Sequence, residues 1–191
     1  LAGRVREQEQ ARHATEWRAA VEALGSARYF ALLDALDALD GLLADPPLRR
    51  KARKPARKQL LKTAEADRRR LKRRLAAVEG VDQGPEREQA LHQVRKAVRR
   101  ARHTAETALP YGGKRAARLR KRTTKLQQVL GDHQDAAVAR RALVDLAAEA
   151  HRAGADTFGY GLLYAAQAQS MSAAARRLPR RAAGATAVRL A

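Results

Sequence analysis

The chain has 191 residues, 45% of them hydrophobic, with no cysteine and a formal charge of +20 from 40 Lys and Arg against 20 Asp and Glu. The missing cysteine excludes disulfides, thiolate chemistry and sulfur-bound zinc, and no apolar run approaches the ~20 residues that a membrane span requires. The length suffices for one core or two small ones, and the charge excess predicts attraction to anions while saying nothing about fold.

No signal-peptide pattern opens the chain, and the lack of cysteine fits a reducing cytoplasm. The first residue is Leu, so a piece of something longer is expected. The charge is concentrated: residues 1–48 hold 5 basic and 8 acidic side chains, 49–74 hold 14 and 2, and 92–125 hold 12 and 1. Such clustering predicts a patch.

Helical periodicity runs throughout, so an all-α fold of about seven helices is expected. A first helix, about Arg4 to Leu24, offers Val5, Trp17, Val21 and Leu24 as core contacts. Gly25 and Ser26 provide a stop and an N-cap. A second helix, about Ala27 to Leu43, turns Phe30, Leu33, Leu36 and Leu39 inward and leaves Asp34, Asp37 and Asp40 wet.

Asp45-Pro46-Pro47 interrupts the pattern, and residues 45–55 form a basic connector containing prolines. A third helix, about Ala56 to Val78, groups Leu60, Leu71, Leu75 and Val78. Its opposite face carries Arg57, Lys58, Arg68, Arg69 and Lys72, a secondary basic face that could equally be a solvated linker flank. Residues 80–85 read as a loop, with Pro85 suited to a helix's first turn.

The fourth helix, about Glu86 to Leu109, has the strongest pattern. Leu91, Val94, Val98, Ala101 and Ala105 fall on one side. His92, Arg95, Lys96, Arg99, Arg100, Arg102 and His103 crowd an opposite arc roughly 160° wide. Like charges at i,i+4 repel, and only Glu106 relieves them. A fold that tolerates this has a polyanion to place there; the competing reading is a merely solvated face.

Pro110-Tyr111-Gly112-Gly113 ends that helix. In the fifth, up to Gly131, Lys114, Arg118, Lys121 and Lys125 form one stripe, opposite Leu119, Leu126 and Leu130. A short connection predicts antiparallel neighbours whose two basic faces line a common groove. Gly131 fits a helix C-cap, with Asp132 or Asp135 opening the next helix, to about Ala153. A seventh runs from about Ala155 to Leu178, and residues 179–191 read as a basic tail, open to disorder.

The run His92-x-x-Arg95-x-x-x-Arg99-Arg100-x-Arg102-x-x-x-Glu106 resembles the signature helix of CHAD domains, the conserved histidine α-helical domain. Leu126 to Val138, LQQVLGDHQDAAV, is similar to that family's second marker. The resemblance covers about 1–178 and implies an all-helical protein of two pseudo-symmetric bundle repeats, without catalytic activity or a cofactor. It implies binding of inorganic polyphosphate through a basic groove, sometimes beside a CYTH-type domain or at polyphosphate granules.

On that resemblance His92, Arg95, Arg99, Arg100 and Arg102 match the basic helix, and Glu106 matches the acid that closes it, paired with Arg102 at i,i+4. One signature helix is present where the family has two. Residues 1–44 resemble only the closing helices of a first repeat, so that repeat is expected to be truncated, with 56–178 forming the second.

Arg suits bidentate phosphate contact and Lys supplies a point charge. A monomer is expected. The leading alternative is a nucleic-acid or generic polyanion binder, but the seven aromatics do not interleave with the basic helix, so no base-stacking platform is visible. No glycine-rich phosphate loop, magnesium carboxylate pair or nucleophile elbow speaks for an enzyme. Neighbouring arginines oppose a metal at His92, His103 and His133.

Overall fold

The computed structural model describes residues 2–44, 46, 48, 50–82 and 84–190. Of the expected connector, Asp45, Pro47 and Arg49 lie outside the described residues. Six α-helices account for nearly all of them: α1 (Ala2–Leu24), α2 (Ala27–Ala44), α3 (Ala56–Glu79), α4 (Pro85–Thr107), α5 (Leu109–Arg152) and α6 (Phe158–Thr186), with a 3-10 turn at Arg50–Arg53. Among the described residues there is no strand. The chain divides into two compact units, 1–53 and 54–191.

The first unit is the hairpin of α1 and α2. Ser26 caps α2 by accepting the Tyr29 N–H on its Oγ at 3.2 Å. The expected core contacts are not a core. Trp17 is 63% exposed, Phe30 54%, and Val21, Leu24, Leu33, Leu36 and Leu39 are exposed with them. Two helices alone enclose no interior, because each apolar stripe needs a second layer to cover it. Trp17 instead stacks on His13, ring centroids 6.4 Å apart.

The second unit is a bundle of α3, α4, α5 and α6. Leu71 and Val78 of α3, Leu91, Val94, Val98 and Ala101 of α4, and Leu126 and Leu130 of α5 form one buried cluster. Ala64, Ala105, Ala108, Ala116 and Leu119 continue it toward the α4–α5 turn. Leu60 and Leu75 pack at the edges of these clusters, half-buried.

The α4–α5 turn depends on two glycines. A Cβ on Gly112 would stand 2.7 Å from the Ala116 Cβ and 3.0 Å from Leu61 Cδ2, so the turn closes against α3 only with a bare backbone there. Gly113 has φ 48° and ψ −132°, a conformation that L side chains rarely adopt.

Three sequence expectations change. Gly131 does not end a helix: α5 runs unbroken through it to Arg152. A mid-helix glycine costs only about 1 kcal/mol against alanine, and the good helix formers on either side outweigh it. Asp132 therefore caps nothing; it pairs with Arg177 of α6 at 2.8 Å.

The stop comes instead at Gly154, φ 66°, where Ala155 N–H returns to Ala150 O and Gly154 N–H to His151 O, both at 2.9 Å. The third change is in the basic tail. α6 continues through Pro179 to Thr186, because Ala185 is buried and Ala182 packs half-buried on the main core. Proline removes one helical hydrogen bond, and this packing offsets the loss.

Candidate functional site

The basic arc of α4 forms as its periodicity requires, since the apolar stripe seats the opposite face against α3 and α5. His92, Lys96, Arg99 and His103 point outward and are exposed. The flanking members turn toward neighbours. Arg100 is bound by the buried carboxylate of Asp67 on α3, Nε standing 3.0 Å from Oδ1.

On the other flank Arg102, half-buried, pairs with Glu106 at 3.5 Å, and Arg120 of α5 approaches the same carboxylate at 3.9 Å. Arg102 Nη2 also lies 3.3 Å from His103 Nε2. Arg95, half-buried, lines a separate cavity of about 280 Å³ between α4 and α5, with Glu88, His133, Gln134 and Arg141. Burial, and then the Arg87 charge, hold the His133 imidazole below its ordinary pKa, against the opposing pull of Glu88.

A wide basic concavity lies along α5. A groove of about 840 Å³ is lined by Arg118, Arg120, Lys121, Arg122 and Lys125 of α5 and by Arg180 and Arg181 of α6, with Ala117, Thr124 and Gln128 between them. Seven cations and no carboxylate form its walls. Three members of the expected stripe meet here; Lys114, exposed nearer the turn, is outside the lining.

The second wall belongs to α6 rather than to α4. No α4 residue is in the groove's lining, and Glu106 of α4 links Arg102 to Arg120 of the α5 wall. Arg122 leans over Gly184 of α6, where a Cβ would stand 3.2 Å from its Nη1.

The secondary face of α3 divides. Arg57, Lys58 and Lys72 are exposed, and Lys58 and Arg69 line a third groove with Lys62, Arg73 and Leu190. Arg68 is not on that face at all: it is buried, 7% exposed. Glu65 holds it by two contacts, 2.9 Å from Nε and 2.6 Å from Nη2. Arg68 Nη1 also donates to the Thr186 carbonyl of α6.

Glu65 further accepts from Arg69 at 3.1 Å and from the Leu190 N–H at 3.3 Å. The Arg68 hydrogen bonds, aided by Arg69 and Leu190, hold the Glu65 carboxyl down to about 2, although burial pulls the other way. Three residues that sequence reasoning left out of the site stand out here: Glu65, the acid three positions before Arg68, and the Arg180-Arg181 pair, which lay in the stretch read as a basic tail.

Among the described residues no three His, Asp or Glu side chains gather as metal ligands. No described helix is long and apolar enough to cross a membrane.

The CHAD domain family matches residues 1–144. The chain belongs to that family. It is 36% identical over 190 residues to two proteins of Mycobacterium tuberculosis, "Uncharacterized protein MT2285" of strain CDC 1551 / Oshkosh and "Uncharacterized protein Rv2226" of strain ATCC 25618 / H37Rv. Each match covers 92% of this chain and 34% of the relative, so the chain spans about a third of those proteins' length. No solved structure matches it significantly.

Proposed function

We propose that this protein binds inorganic polyphosphate by electrostatic capture, without chemistry, and so tethers whatever it is joined to, in the cytoplasm or at polyphosphate granules. The observation that carries this reading is the α5 groove, in which seven cations and no carboxylate converge. Polyphosphate has about one negative charge per phosphate and no bases to read, so a row of arginines and lysines is nearly all a site requires.

Residues on one helical face recur every ~6 Å, and Arg118, Lys121 and Lys125 lie on one face with that spacing. An extended phosphate chain can therefore follow the helix. Membership of the CHAD family supports the choice of polyphosphate. The exposed α4 residues His92, Lys96, Arg99 and His103 would add a second, more screened field beside the groove.

Titration of long-chain polyphosphate by calorimetry at ~0.15 M salt, where the Debye length is about 8 Å, tests it against a duplex DNA of equal phosphate count. Tight polyphosphate binding with weak DNA binding is expected. Equal or better DNA binding would replace this reading with a generic polyanion binder, and binding of neither would overturn both.

A further inference from the structure

The α6 wall of the groove was not expected from the sequence, and it lies beyond residue 144, where the match to the CHAD family ends. We propose that Arg180 and Arg181 are binding residues of the groove, and that they let the site hold a linear polyanion from two helices at once. The inference rests on the polyphosphate reading above and names a part of the site that the family resemblance does not reach.

Three observations place these side chains for that role. Both line the same concavity as Arg118, Lys121 and Lys125. No carboxylate pairs with either of them among the described residues, whereas Arg177, one turn earlier on the same helix, is neutralised by Asp132.

The third is the anchoring of their helix. Three to five residues further on, Gly184 carries Arg122 across its bare backbone, and the Thr186 carbonyl accepts from buried Arg68 of α3. Glu65 fixes Arg68 and also takes the Leu190 N–H. A helix end that would otherwise fray is held at both its backbone and its core face, so two like charges are kept facing five others across the groove. That arrangement is repulsive when empty and is relieved by an anion that touches both walls.

A single phosphate can satisfy only a few of these cations. A chain of them can satisfy both walls, and each added contact releases condensed counterions.

The test compares Arg180→Gln/Arg181→Gln with Arg70→Gln/Arg152→Gln, a pair of exposed arginines outside the groove that removes the same charge. Glutamine removes the charge while keeping a polar side chain and helix propensity, and circular dichroism melts confirm that each variant folds. Against long-chain polyphosphate the α6 pair is expected to lose about tenfold in affinity and to flatten the salt dependence by about two contacts. The control pair is expected to stay within about twofold, since distant exposed charges are screened.

Arg180→Lys/Arg181→Lys should recover most of the loss. Equal losses in both pairs, or none in the α6 pair, would overturn the two-walled site while leaving polyphosphate binding standing. If the unaltered chain failed to bind polyphosphate, the functional reading itself would fall, and this inference with it.

Discussion

Arg100 of α4 spans to Asp67 of α3, its Nε 3.0 Å from one carboxylate oxygen and 3.1 Å from the other. The aspartate side chain is 5% exposed and the arginine 57%. One of the five arginines and lysines on the α4 arc is therefore committed to holding two helices together, with a buried carboxylate as its partner.

Arg100→Ala should accordingly act on stability more than on binding. Asp67 would be left buried without its counter-charge, at a cost on the order of 1–3 kcal/mol. Polyphosphate affinity should fall by less than about threefold, because a cation already compensated releases few counterions. Paired urea melts and titrations separate the two effects; a tenfold affinity loss at unchanged stability would show Arg100 to be a contact residue.

Glu65 makes stability depend on pH in the acid range. Its folded-state value, about 2, lies below the ordinary 4.5. The ionised carboxylate thus stabilises the fold fully above pH 4.5, and that stabilisation is lost as pH falls from about 4.5 toward 2. The amount is on the order of 3 kcal/mol. Thermal melts between pH 6 and 2 should show this limb, and Glu65→Gln should be less stable at pH 6 with the limb much reduced.

Gly131 distinguishes a continuous helix from two helices joined at a cap. Inside α5, nothing stands within 4 Å of where its Cβ would be, and its φ is not positive. Gly131→Ala should stabilise by about 0.5–1 kcal/mol. A left-handed cap would give destabilisation of a similar or larger size, so the sign of the change in melting temperature decides between them.

The groove should matter more than the outward arc. Arg118→Gln/Lys121→Gln/Lys125→Gln removes three cations that converge with those of α6; His92→Gln/Lys96→Gln/Arg99→Gln removes two cations and an imidazole from an open face. At ~0.15 M salt the first triple should weaken polyphosphate binding at least about tenfold and lower the salt slope by two to three contacts, the second by less than half of that. Titrations at three salt concentrations check it, and the reverse order would move the main site to α4.

Much of this protein was legible from local pattern alone. Leu91, Val94, Val98, Ala101 and Ala105 had to share a face, and that placed His92, Lys96, Arg99 and His103 in water, because a 3.6-residue repeat determines sidedness without reference to any neighbour. The family markers at 91–106 and 126–138 rest on the same local spacing. Which helices lie side by side is a long-range outcome, and there the local pattern stops.

Arg68 sits in a run with Arg69 and Arg70 and reads like them as part of an exposed basic face; its burial follows from Glu65 at i,i+3 together with the Thr186 carbonyl that α6 brings to it. Gly131 carries the composition of a stop, yet the helix continues, since a local cost of about 1 kcal/mol is small beside the packing along its length. Pro179 likewise reads as an end until Ala185 finds the core. The sequence by itself determined an all-helical, basic chain and the sidedness of its helices. Tertiary structure decided that a groove walled by seven cations lies between α5 and α6, because a groove needs two walls and the second is supplied by residues some sixty positions away.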